Sequence, residues 1–226
     1  MFVFNFNYIA IIGDIVDSKK IANRNEVQSK YKEAIENINK KYNEDIEAKF
    51  SISLGDEFQG LLKTGENVIN IITDIELALH PVKIRFGIGV GDVNTNINKE
   101  STFEVDGSAY HRARKMIGSI EDKKNRNTES YSNILISSSD DKVDIDELLN
   151  TILSVSSALK SKWTDRQIEI ISAYLENEKN QYQTASALNI SQPSVYKSLN
   201  KSRYYTYEAA MDKVSEYLSR KAESLE

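Results

Sequence analysis

The residues best equipped for chemistry sit in two short acidic turns. Gly13-Asp14-Ile15-Val16-Asp17-Ser18 closes an apolar, β-branched run, and Leu54-Gly55-Asp56-Glu57-Phe58 joins two short segments of strand character. Brought to one sheet edge, Asp14 and Asp56 offer two hard carboxylates with no histidine beside them. That donor set suits Mg2+ or Mn2+, which also take ligands from substrate phosphates. Metals held in this way activate a hydroxyl and neutralise a triphosphate. A glycine next to each aspartate lets a phosphate approach the backbone. Each Gly-Asp pair alone is an ordinary turn former, but the two together, in this strand order, point to a metal site.

A second group, His111, Arg112, Arg114 and Lys115, lies within one helical segment. Arginine suits bidentate phosphate contacts, and a histidine on a helix serves as readily for packing as for chemistry. Composition narrows the choices. The 226 residues contain no cysteine, which excludes disulfides and thiolate metal sites, and only two histidines, His80 and His111.

An α/β frame must position these groups. Residues 3–13 read as a buried strand, Glu26–Tyr42 as a helix, and Phe50–Leu54 with Glu57–Leu62 as a hairpin. Asn67–Leu79 reads as an amphipathic helix stopped by Pro81, and Val82–Val90 as a strand. Ser108–Ile117 follows as a helix, Lys123–Ser132 as an exposed polar loop and Asn133–Ser137 as a last strand. The order βαββαβαβ predicts an α/β (α+β) sandwich of the ferredoxin-like palm kind over residues 1–140. Residues 141–160 supply a connecting helix that joins stiffly to an all-α segment over residues 161–226.

That last segment has its own pattern. Thr164 caps a helix running to Leu175, with Ile168, Ile171 and Leu175 as its apolar stripe. Tyr182–Leu188 is a short helix, Asn189-Ile190 a turn, and Ser191-Gln192-Pro193 a new start, with Val195 and Leu199 inward. This is the rhythm of a helix-turn-helix, and it leaves Gln192, Ser194, Tyr196, Lys197 and Lys201 on the outward face, placed for a DNA major groove. The net charge is −5, yet no acid occurs between Lys179 and Tyr207, a stretch that includes Lys197, Lys201 and Arg203. The alternative is a helical hairpin used for packing. The tail places Tyr207, Met211, Val214 and Leu218 on one face, for its own chain or for a second copy.

The segment Asp14–Ser18 resembles the first metal-binding segment of class III nucleotidyl cyclases, and Leu54–Phe58 resembles the hairpin that supplies their second metal aspartate, as well as the diguanylate cyclase signature. Arg85-Phe86-Gly87-Ile88-Gly89-Val90-Gly91 and Phe103–His111 resemble two further cyclase segments in the same order. The resemblance implies metal ligation by Asp14, the Ile15 carbonyl and Asp56. It also implies nucleotide contacts at Asp17, Ser18, Gly55, Glu57, Glu104 and Arg112, and catalytic positions at His111, Arg114 and Lys115. His111 and Lys115 stand where the cyclases carry asparagine and arginine, and Ile52 stands where adenylyl cyclases carry a base-selecting lysine. Over nearly its full length the chain is similar to the SatD family, through G-D-I-V-D-S-K, S-L-G-D-E-F-Q-G, D-G-x-A-Y-H-R-A-R and the following helix-turn-helix.

The expected partners are DNA, a nucleoside triphosphate and a second copy of the chain, since cyclase sites form between subunits and helix-turn-helix proteins read paired half-sites. The apolar start lacks a basic leader and meets Asp14 too early to span a bilayer, which implies a cytoplasmic protein without a membrane partner. Three functions are open: a nucleotide-sensing DNA-binding regulator, an active nucleotidyl cyclase or nucleotidyltransferase localised by its helix-turn-helix, and a non-catalytic interaction protein.

Overall fold

A computed structural model of the protein describes residues 8–21, 23–53, 55–100, 105–125, 132–139 and 143–223. The α/β half follows the expected order: β1 (Tyr8–Ile15), α1 (Arg24–Lys41), β2 (Ile46–Ile52), β3 (Glu57–Leu62), α2 (Val68–Leu79), β4 (Ile84–Gly91), α3 (Ser108–Asn125) and β5 (Ile134–Ser137). Residues 3–7 of the first expected strand lie outside the described residues. The sheet order is β2-β3-β1-β4-β5, antiparallel except for the β4–β5 pair.

Helices cover the two faces by different means. On one face Ile9, Ile11 and Ile15 of β1 pack with Ile35, Ile38, Ile71, Ile72 and Ile75 of α1 and α2, as period-2 and period-3.6 apolar patterns meet. On the other, Ala10 and Ile12 meet Ala109, Ala113 and Ile117 of α3. Here small residues set the spacing. A Cβ on Gly87 would lie 2.2 Å from the Ala113 carbonyl, and one on Gly89 2.0 Å from the Ala109 carbonyl. The helix backbone therefore rests directly on β4.

The helix α3 runs past its expected end. Gly118 lies inside it with a φ that is not positive, and good helix formers carry the helix on to Asn125. Lys123–Asn125, read as loop, are helical, whereas residues 126–131 of that loop lie outside the described residues.

The remaining helices are α4 (Val143–Lys160), α5 (Asp165–Glu176), α6 (Gln181–Ala187), α7 (Gln192–Lys201) and α8 (Tyr204–Glu223). A capping box between Thr164 and Gln167 starts α5. Its buried face is Ile170, Ile171, Ala173 and Tyr174, while Ile168 and Leu175 of the expected stripe are half-buried. Those two line a cavity of about 840 Å³ between α2, α5 and α8. On α8, Tyr207, Met211, Val214 and Leu218 are all buried, and this helix packs on α2, α4 and α7 of its own chain. A Cβ on Gly65 would lie 2.2 Å from the Leu218 backbone. The two halves share one core, and the Lys160–Glu76 ion pair (2.5 Å) ties α4 to α2.

Candidate functional site

Antiparallel pairing brings the two acidic turns together. Asp14 stands opposite Glu57 of β3 and Arg85 of β4, and the Ile15 amide donates to the Asp56 carbonyl at 3.0 Å. Gly55 at φ 80° makes the hairpin turn in the left-handed region that glycine favours. Ser18 Oγ donates to Asp56 Oδ2 at 2.5 Å, and the Tyr31 hydroxyl donates to the Asp56 carbonyl at 3.2 Å. Burial pushes the Tyr31 hydroxyl up, so it stays a donor. Asp17, at φ 55°, turns the chain into the short 3-10 helix Ser18–Lys20 and accepts from Lys20 Nζ at 3.3 Å.

Charge in this corner is unevenly balanced. Arg85 reaches Asp14 at 3.1 Å and Glu121 of α3 at 2.5 Å, while Arg114 of α3 pairs both its terminal nitrogens with the Glu57 carboxylate. The Asp14 side chain is 17% exposed. Burial pushes its carboxyl up to about 6; Arg85 opposes this, and Asp56, Glu121 and Glu57 add to it. Four carboxylates thus share one corner with two guanidinium groups, an excess of negative charge that a cation relieves. Among the described residues no three Asp, Glu or His cluster as a ready metal group. A metal here would take Asp14, Asp56 and the Ile15 carbonyl, with phosphate oxygens completing its shell. The residues fit that role.

The helical cluster is spread along α3. This helix runs antiparallel to β4, with Ser108 beside Gly91 and Glu121 beside Arg85. Arg114 therefore joins the acidic corner through Glu57. His111 pairs with Asp106 at 3.0 Å, and Arg112 Nη1 donates to the Val90 carbonyl at 2.7 Å, both toward the far end of the strands from Asp14. Lys115 is exposed. Glu104 lies outside the described residues. Arg85, Glu121 and Tyr31 were not among the residues expected at the site. A lone arginine heading an apolar, glycine-rich strand was the available signal for the first.

In the helical half, Asn180 caps α6 and Ser191 caps α7, with Pro193 in its first turn. Asn189 supplies a left-handed turn (φ 51°), and the Ile190 amide returns to the Ala185 carbonyl at 2.9 Å. Val195 and Leu199 are fully buried. Ser194, Tyr196, Lys197 and Lys201 are exposed, and Gln192 Nε2 donates to Gln181 Oε1 at 2.5 Å, which fixes the start of α7 on α6. Between α5 and α7 lies a groove of about 740 Å³ lined by Lys162, Arg166, Lys197, Lys201 and Arg203, with Ser194 and Thr164. No carboxylate among the described residues lines it.

The SatD family model matches residues 8–218. The chain belongs to the SatD family. The comparison with curated proteins finds no match. Among solved structures, this SatD-family chain is similar to a bacterial light-regulated adenylyl cyclase at 18% identity and TM-score 0.43, covering 58% of this chain and 76% of that one. It is also similar to the guanylyl cyclase domain of a RhoGC fusion protein from the aquatic fungus Blastocladiella emersonii, at 15% identity and TM-score 0.38, covering 50% and 74%. A third is the guanylyl cyclase Cya2, at 14% identity and TM-score 0.37, covering 51% and 73%. No helix among the described residues of the SatD-family chain is long and apolar enough to cross a membrane.

Proposed function

We propose that this SatD-family protein is a cytoplasmic, homodimeric DNA-binding regulator whose α/β half binds a nucleoside triphosphate with Mg2+ or Mn2+. Residues 1–140 form the nucleotide unit, residues 141–160 connect, and residues 161–226 form the DNA unit. The observation that carries this reading is the groove between α5 and α7, where five cationic side chains, of which Arg166 pairs with Glu169 at 2.5 Å, meet with no carboxylate among the described lining residues, beside an exposed recognition-type helix. A phosphate backbone is the polyanion such a groove suits, and α7 would then offer Ser194, Tyr196, Lys197 and Lys201 to base edges and phosphates.

The nucleotide arm is supported by the acidic corner. Asp14 and Asp56 would hold the metal, the metal would neutralise the phosphates, and Ser18 would keep the Asp56 carboxylate in place through its 2.5 Å hydrogen bond. Isothermal titration of the full chain with ATP and GTP, with and without Mg2+, tests this arm. Metal-dependent binding that Asp56→Asn abolishes is expected, and no binding at millimolar nucleotide would sink it. A gel-shift assay across a salt series tests the other arm, and salt-insensitive binding or none would overturn it.

A further inference from the structure

Exposed apolar side chains concentrate on one helix. Among the described residues, the large hydrophobics that stand exposed are Val143, Ile145, Leu148, Val155, Tyr182 and Tyr196, and the first four belong to α4. Ile145, Leu148, Ile152, Val155 and Leu159 follow a 3-4-3-4 spacing, with Leu148 62% and Val155 59% exposed and Ile152 and Leu159 half-buried. The inward face mixes two core leucines, Leu149 and Leu153, with polar anchors. Asp146 accepts from the Ser138 amide and hydroxyl (2.7 and 2.6 Å), Asn150 bonds both backbone groups of Ile136 (2.7 and 2.9 Å), and Ser157 reaches Asn133 (3.1 Å). A helix on a monomer surface is apolar inward and polar outward, whereas α4 carries apolar side chains on both sides. Here fixed hydrogen bonds hold α4 to β5 while an apolar seam is left facing out, the kind of patch that marks an interface.

The seam's spacing and its charges identify the occupant. A heptad stripe complements a copy of itself, which makes a two-fold pairing the natural closure. Asp144 and Glu147 are exposed at the start of the helix and Lys162 is exposed just past its end. Antiparallel pairing sets the acidic start against the basic end, whereas parallel pairing sets acids against acids. The α8 stripe, the other candidate seam, is already buried in its own chain.

We propose that α4 pairs antiparallel with α4 of a second copy, with the two-fold axis at Ile152, so that Ile145 faces Leu159 and Leu148 faces Val155 across the seam. This rests on the dimeric reading above and names its surface. The pairing buries the only strongly apolar outer face that α4 has among the described residues; it meets the rim of the cationic groove at Leu159 and Lys162 and leaves the exposed face of α7 open.

The chain contains no cysteine, so single cysteines report directly on the seam. In the full chain without DNA, Ile152→Cys is expected to cross-link to its copy on mild oxidation, and Ile145→Cys is not, because disulfides need Cα atoms within about 7 Å. Sedimentation should show a concentration-dependent dimer that Leu148→Glu converts to monomer with unchanged melting. Adding Val155→Lys to Leu148→Glu should restore the dimer. Equal cross-linking of Ile145→Cys, or a failed charge-swap rescue, would overturn the antiparallel pairing. A dimer that survives Leu148→Glu would refute the α4 seam while leaving the dimeric reading standing. A wild-type monomer at every concentration would refute both.

Discussion

The acidic corner of the sheet and the cationic groove of the helical half use charge in opposite ways. In the corner, each of the named guanidinium groups is engaged: Arg85 with Asp14 and Glu121, Arg114 with Glu57. These pairs join β1, β3, β4 and α3 and leave a net negative site; burial first, and then the neighbouring carboxylates, push the Asp14 carboxyl up to about 6. In the groove, Lys162, Lys197, Lys201 and Arg203 are exposed, and Arg166 is held by a neighbour, Glu169, at 2.5 Å. In the proposed function the corner would hold a small cation and whatever that cation brings, and the groove would meet a large polyanion. The difference teaches that paired charge builds a compact site, while unopposed charge of one sign makes a docking surface.

The comparison breaks first at its frame. Gly89→Ala would drive a Cβ into the Ala109 carbonyl, lifting α3 and with it Arg114 and Glu121 off the acidic corner. A stability loss of about 3 kcal/mol in denaturant unfolding is expected, with nucleotide binding lost alongside. Next comes the groove. Lys197→Glu combined with Lys201→Glu should weaken DNA binding by about 100-fold at moderate salt and reduce the salt slope by about two. Both side chains are exposed, so melting should not move; unchanged affinity would strip the groove of its role.

A smaller effect sharpens the corner. Asp14 is protonated in the folded chain below about pH 6 but in the unfolded chain only near its ordinary 3.8. Between those values the folded state binds the extra proton, so without metal this group adds stability as pH falls and withdraws it as pH rises through 6. A metal needs the carboxylate, so Mn2+ affinity by calorimetry should drop about tenfold per pH unit below 6; a flat profile from pH 7 to 5 would remove Asp14 from the site. Smallest is the cap. Ser191→Ala deletes the acceptor for the Ser194 amide and should cost about 1 kcal/mol, with DNA affinity falling only as far as α7 frays.

Much of the helical half was legible because its determinants are local. The capping residues Thr164 and Ser191, Pro193 at the start of α7, and the inward pair Val195 and Leu199 all act within a turn or two of their own position. The element order of the α/β half was legible for the same reason, since each period of the apolar pattern names its own element. Its boundaries slipped at the end of α3, where a run of good helix formers carries the helix past Ile117 to Asn125. The widened buried face of α5 was not legible, because what covers Ile170 and Tyr174 comes from distant helices.

The sequence alone determined which residues could carry charge to a metal, a nucleotide or DNA, and the secondary structure that displays them. Only the tertiary structure decided which of them meet. It set Arg85 against Asp14, sent Arg114 to Glu57 and left His111 with Asp106, choices fixed by strand register and by how closely three glycines let α3 approach β4. It also folded the α8 stripe inward, and on α4 it buried Leu149 and Leu153 while leaving Leu148 and Val155 outside, a choice that only the packing of both helices shows.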